Sequence, residues 1–169
     1  MNEINFNDQR KAVKVIILYD SKFGNTKKVA ITLDRGLESG GFHVDSVSIQ
    51  DFNINKLRNY DVVGIGSPTH NRGLSKPMKL FLSKIKHENL KDKKGFVFET
   101  KLSVPFSGSS AKKITKYLKM MKIELLHHEI TANVLGNEGP LEENTLSKME
   151  ETGLDIAEKL NNIIKIERR

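Results

Sequence analysis

With 169 residues, 37% of them hydrophobic, the chain has the size and apolar content of one compact domain with its own core. It has no cysteine, which excludes disulfides, thiolate metal sites and a cysteine nucleophile, so any redox chemistry must come from a bound cofactor. The net charge of +7 is unevenly placed: residues 76–122 hold 13 lysines against three carboxylates, whereas residues 123–169 are net acidic.

Residues 1–11 are polar, lack the apolar stretch of a targeting signal and are expected to form a flexible arm, with one domain over residues 12–169. No apolar run approaches the roughly 20 residues that cross a bilayer, so no membrane span and a cytoplasmic location are expected. Residues 13–18 are β-branched and almost wholly apolar, as in a parallel strand covered on both faces. Residues 25–39 follow as a helix, with Val29, Ala30, Leu33 and Leu37 at helical spacing and Gly40-Gly41 at its end. Residues 42–49 alternate apolar and polar side chains, which suits an outer strand with one exposed face. Residues 51–59 are a short polar helical segment, and residues 62–66 a buried third strand that Ser67-Pro68 should stop.

Residues 76–87 carry Met78, Leu80, Phe81, Leu82 and Ile85 in a helical pattern, with Pro77 in the first turn where proline is tolerated. A fourth strand over residues 95–98 leads to a helix over residues 110–122, patterned by Ile114, Tyr117, Leu118 and Met121. Residues 123–134 form the predicted fifth strand. A last helix, from about residue 142 to 164, should turn Leu146, Met149, Leu154, Ile156, Ala157, Leu160 and Ile163 inward, with Gly153 as an interruption. Strands alternating with helices predict a three-layer, doubly wound α/β domain with a five-stranded, mostly parallel sheet. Ligands of such domains sit beyond the carboxyl ends of the strands, where residues 19–26, 67–75 and 99–110 converge.

The most specific of these segments is Tyr19-Asp20-Ser21-Lys22-Phe23-Gly24-Asn25-Thr26, at the junction of the first strand and first helix. It offers two hydroxyls, an amide side chain, a glycine that admits close backbone approach and the unpaired N–H groups of a helix start, an arrangement suited to a phosphate dianion. A purely structural role competes: Ser21 or Asn25 can cap the helix, and Gly24 can serve only the turn. The triphosphate loop is excluded because Gly24 is followed by Asn25-Thr26 rather than by Lys-Ser/Thr, and no Gly-x-Gly-x-x-Gly dinucleotide fingerprint follows the strand. A monophosphate site remains.

The basic stretch has no arginine, and its aromatic residues mostly fit core positions, which argues against nucleic acid as a partner. A solvated lysine surface is its first reading and a docking face for an acidic partner the second. His127-His128 adjoin in a predicted strand and so point to opposite faces, a poor geometry for a metal.

Ser21-Lys22-Phe23-Gly24-Asn25-Thr26 resembles the phosphate loop of the flavodoxin family, and Gly66-Ser67-Pro68-Thr69-His70-Asn71-Arg72-Gly73 resembles that family's loop after the third strand, beside the flavin ring. Glu99-Thr100-Lys101 and Gly108-Ser109-Ser110-Ala111 resemble its third loop and the helix start beyond, and an unsplit fifth strand is similar to the short-chain members. The resemblance implies a flavodoxin-like sheet of order 2-1-3-4-5 with flavin mononucleotide (FMN) as cofactor. It implies that Ser21, Lys22, Gly24, Asn25 and Thr26 surround the phosphate. Ser67, Pro68, Thr69, His70, Asn71 and Gly73 would then lie along one edge and face of the ring, with Thr100, Lys101 and Leu102 on the other side.

Two departures stand out. The family's usual stacking tryptophan is missing, and Tyr19, Tyr60 and Tyr117 lie outside the matching loops, which leaves His70 for one ring face and Phe106 for the other. Arg72 and Lys101 put cations where the family's carriers are usually acidic. The implied function is electron transfer between redox partner proteins, acidic ones among them. An FMN-dependent oxidoreductase acting on a quinone or other small substrate is the alternative, and a nucleic-acid or acidic-protein binding module on the same fold is a third reading. No motif encodes an oligomeric state.

Overall fold

The first apolar run forms β1 (Lys14–Tyr19), whose successive side chains enter opposite faces of the sheet. Val15, Ile17 and Tyr19 join one hydrophobic cluster, and Ile16 and Leu18 join the other. The computed structural model of the protein describes residues 12–167; the arm expected over residues 1–11 lies outside the described residues. After β1 come α1 (Asn25–Ser39), β2 (His43–Ser48), a 3-10 helix (Ile54–Asn59), β3 (Val62–His70), β4 (Gly73–Leu74) and α2 (Lys76–Ile85). The second half comprises β5 (Lys94–Leu102), α3 (Ser110–Met120), β6 (Glu124–Leu125), β7 (Ile130–Val134) and α4 (Thr145–Glu167).

The sheet runs β2-β1-β3-β5, with β6 and then β7 along the outer side of β5, all parallel, and β4 is a short antiparallel addition to β3. This is the doubly wound order expected, with β5 as the predicted fourth strand and β6 and β7 together as the fifth. One face packs on α1 and α4 through Val29, Leu33, Leu37, Met149, Ile156 and Leu160. The other packs on α2 and α3 through Met78, Leu82, Ile85, Ile114 and Leu118. Each of these fully buried aliphatic side chains stabilises the fold by about 1.5–3 kcal/mol relative to exposure.

Five expectations about the elements are corrected, the last of them at Gly153. Ser67-Pro68 do not stop the third strand, because β1 ends opposite Gly66 while β3 continues beside β5 to the pair Pro68↔Thr100. Gly66 O accepts from Asp20 N, so Pro68, two residues on, turns its missing N–H to the side that β1 has vacated. The fifth strand is not continuous: after Leu126, whose N–H donates to Gly95 O, residues 127–129 leave the ladder before β7 rejoins at Phe98↔Ile130. As an edge strand it loses partners on one side only. In α4 the inward stripe is Met149, Gly153, Ile156, Ala157 and Leu160, whereas Leu146 and Leu154 are exposed and Ile163 is only partly buried. In α2, Leu80 likewise points to solvent.

Gly153 does not interrupt α4 but lets it approach α1. A Cβ there would lie 2.4 Å from Leu33 O and 2.9 Å from Gly36 Cα. Both neighbours are backbone, so neither can yield.

Candidate cofactor site at the strand ends

β1 delivers the first loop. Asp20, buried at its end, accepts from Gln50 Nε2 at 3.0 Å, which fixes where the chain leaves the sheet. Gly24 then takes φ 86°, ψ −9°, a left-handed conformation that disfavours side chains, and occupies the N-cap of α1 without a side-chain cap. Ser21 Oγ accepts from Lys27 N at 3.1 Å, so the capping role weighed for Ser21 is present, supplied from upstream of the helix. Asn25 does not cap: its Nδ2 donates to Glu138 O at 2.9 Å and holds the loop that follows β7. The hydroxyls of Thr26 and Thr100 hydrogen-bond at 2.8 Å and join this loop to β5. Among the described residues no side chain or carbonyl accepts from the N–H of Asn25 or Thr26, so the positive end of α1 stays open.

A small cavity of about 40 Å³ lies there, bounded by Ser21, Lys22, Asn25, Thr26, Pro68, Thr69, His70, Thr100, Lys101 and Leu102. It has room for a few waters. Thr69, His70, Lys101 and Leu102 also line a neighbouring cavity of about 360 Å³, which adds Asn71, Arg72, Val104 and Ser107. The loop beside it is a tight hairpin in which β3 residues Thr69 and His70 pair with Leu74 and Gly73 of β4, and the two residues with positive φ are Asn71 and Arg72. Gly73 lies just past the turn, as the first residue of β4. It lines neither of these cavities, and neither does Ser67, which is buried with its hydroxyl donating to Pro68 O at 3.0 Å. Phe106 is 86% exposed and covers neither cavity.

Three residues lining the small cavity were not singled out from the sequence, Phe23, Val134 and Asn137, nor were Val104 and Ser107 of the larger one. Val134 and Asn137 sit at the carboxyl end of β7, so the strand-end rule extended to the last strand would have found them. Phe23 lies beneath the Lys22 ammonium, 5.0 Å from its ring centre.

Glu99 was also overlooked. Although only 2% exposed, its carboxylate accepts from Thr69 Oγ1 (2.8 Å), Ser109 Oγ (3.0 Å), Ala111 N (3.1 Å) and Thr131 Oγ1 (3.1 Å). It sits at the N-terminus of α3, where a negative charge is favoured. One side chain thus ties the end of β3, β7 and the start of α3 to β5. Lys101 Nζ lies 3.9 Å from Glu99 and donates to Gly108 O at 3.0 Å, so its charge is partly compensated. Arg72 is exposed and has no ion pair among the described residues.

The family model of a flavodoxin domain matches residues 16–152. The chain is 34% identical over 116 residues to an uncharacterised protein of Methanocaldococcus jannaschii, a match covering 68% of this chain and 71% of that protein. It is 30% identical over 93 residues to a flavodoxin of Clostridium saccharobutylicum, covering 54% of this chain and 58% of that relative, less than two thirds of its length. Among solved structures, oxidised flavodoxin 2 of Bacillus cereus superposes with a TM-score of 0.77 at 21% identity, over 87% of this chain and 99% of that one. The rubredoxin oxygen:oxidoreductase of Desulfovibrio gigas gives 0.76 at 24% identity, over 92% of this chain but only 38% of the larger protein. The structural likenesses carry the fold, and the family match spans most of the domain: the chain belongs to the flavodoxin family.

Proposed function

We propose that the chain binds FMN at the strand ends and carries electrons between redox partners. The carrying observation is that the open N-terminus of α1 meets the hydroxyls of Ser21, Thr26 and Thr100 at a small cavity next to one of about 360 Å³. In this reading the N–H groups of Asn25 and Thr26, with those hydroxyls, hold the phosphate, Gly24 gives the backbone its close approach, and Lys22 stands at the rim. Pro68, Thr69, His70 and Asn71 border the ring on one side and Thr100, Lys101 and Leu102 on the other; Ser67 and Gly73 shape the loop from behind. When bound, FMN supplies reversible uptake of one or two electrons. The chain's residues anchor it, keep part of the ring from water, and set its charge environment. Arg72 and Lys101 add positive potential along the larger cavity, which favours a cofactor that gains negative charge on reduction.

The test separates the phosphate from the ring. Thr26→Leu removes a hydroxyl and crowds the helix start, and loss of a hydrogen bond to a charged group, about 1.5–3 kcal/mol, predicts FMN binding weakened by about 10- to 100-fold. Riboflavin, which lacks the phosphate, should bind with nearly unchanged affinity. Equal weakening of both would contradict the assignment.

One observation favours the enzymatic alternative. With Phe106 turned to solvent and no tryptophan in the chain, no large aromatic side chain other than His70 lines the larger cavity, which leaves room for a small substrate such as a quinone. Turnover of NAD(P)H and a quinone by the FMN-loaded protein alone would select that reading, and its absence the carrier.

A further inference from the structure

A larger concavity than the two at the strand ends, of about 1070 Å³, lies between α2 and α3. Its rim carries Lys22, Lys76, Lys79, Lys86, Lys113 and Lys116, all exposed. The one carboxylate lining it is Asp20, buried and hydrogen-bonded to Gln50. Among the described residues none of the six lysines is in an ion pair. A concave surface lined by unpaired charges of one sign concentrates counter-charge and accelerates encounter by about 10- to 1000-fold.

A merely solvated lysine face has no need of apolar lining, yet Leu74, Pro77, Tyr117 and Met120 line this one. Tyr117 is half-buried there, and Met120 is 78% exposed. An aromatic residue and a methionine inside a charged rim is the composition of a protein-docking surface. Lys76 to Lys86 spans about 15 Å of helix at 1.5 Å per residue, long enough for about three turns of a partner helix. The groove is also continuous with the strand-end site, because Ser21, Lys22, His70 and Asn71 belong to both. Nucleic acid fits less well: no arginine lines the groove, and Tyr117 and His70 are its only stacking rings.

We propose that this groove docks an acidic redox protein, which places its electron donor or acceptor against the 67–73 loop. The inference rests on the FMN reading for its purpose, though not for its geometry. In the productive complex one electron passes from the partner's reduced centre to FMN, so the partner is oxidised as the flavin is reduced.

A reduced, acidic [2Fe–2S] ferredoxin serves as probe against the FMN-loaded protein in anaerobic stopped flow, from low to high ionic strength. The groove variant is Lys79→Glu, Lys86→Glu, Lys116→Glu. Its control is Lys148→Glu, Lys159→Glu, Lys165→Glu on α4, across the sheet, which changes the net charge equally. The bimolecular rate of the unaltered protein should fall at least about tenfold as salt rises, and the groove variant should already be about tenfold slow at low salt with a flattened salt slope. The α4 variant should keep most of the rate, and FMN affinity should be unchanged in all three. Equal rates and salt slopes in the groove variant and the unaltered protein would overturn the proposal. So would equal losses in both variants, or single-stranded RNA bound through the same lysines while ferredoxin is indifferent to them. Calorimetric titration with ferredoxin, with and without FMN, separates the two readings. A chain that takes no FMN but binds ferredoxin through the groove loses the flavin reading alone, whereas FMN binding with groove-independent ferredoxin binding sinks the docking face alone.

Discussion

At the scale of single residues, the phosphate-loop candidates could be read from the sequence because they are contiguous at a strand-to-helix junction, although Asn25 and Thr26 find their side-chain partners far away, at Glu138 and Thr100. Ser21, Gly24, Asn25 and Thr26 lie within six positions, and a helix start leaves its first amides free whatever else the fold does. Glu99 was not legible, since Thr69, the Ser109–Ala111 start of α3 and Thr131 come from three separate segments and only the finished sheet gathers them. Its replacement is correspondingly informative. Glu99→Gln puts an amide donor among groups that already donate, and losing even one charge-assisted bond destabilises by about 1.5–3 kcal/mol. Thermal unfolding should move down by several degrees, at about 2–4 °C per kcal/mol for a domain of this size. An unchanged midpoint would mean that the Glu99 cluster does not hold the site's loops together.

Among the elements, α1 matches its predicted limits because a glycine precedes it and two glycines follow its apolar stripe. The split between β6 and β7 was hidden because apolar runs on both sides, Ile123-Glu124-Leu125-Leu126 and Ile130 to Val134, read as one strand, and the polar His127-His128-Glu129 between them also suits an exposed edge. Pro68 misled for the opposite reason: proline signals a break, but at this point β3 has a neighbour on one side only. The helix pair α1 and α4 gives the sharpest element-scale prediction. Gly153→Ala would gain about 1 kcal/mol of helix propensity, yet its methyl must enter space held by Leu33 O and Gly36 Cα. Overpacking against backbone costs about 1–3 kcal/mol and should prevail, lowering the melting temperature, while Leu154→Ala on the exposed side of the same helix should change it little. A more stable Gly153→Ala protein would show that the two helices can part without cost.

The whole molecule is a three-layer sheet domain with its helix-facing clusters separated by β1, β3 and β5, and with its lysine-lined groove on the α2–α3 side. Alkaline stability is one of its global properties. Tyr60 Oη donates to Asp45 Oδ2 at 2.7 Å, and burial followed by that carboxylate raises the phenol to about 12. A phenol raised above its unfolded value of 10 contributes stability fully present below pH 10 and lost as pH climbs toward 12. Chemical denaturation should therefore show Tyr60→Phe less stable than the parent at pH 8, with the gap closing between pH 10 and 12; a gap constant through pH 12 would contradict it. The claim on which the account turns is that a flavin mononucleotide is held where β1 gives way to α1, and FMN titration of the purified chain, followed by absorbance and flavin fluorescence, tests it most directly. Binding at this site gives a saturable, one-to-one change in the flavin spectrum that riboflavin reproduces only weakly; a flavin spectrum and fluorescence unaltered by excess protein would rule it out.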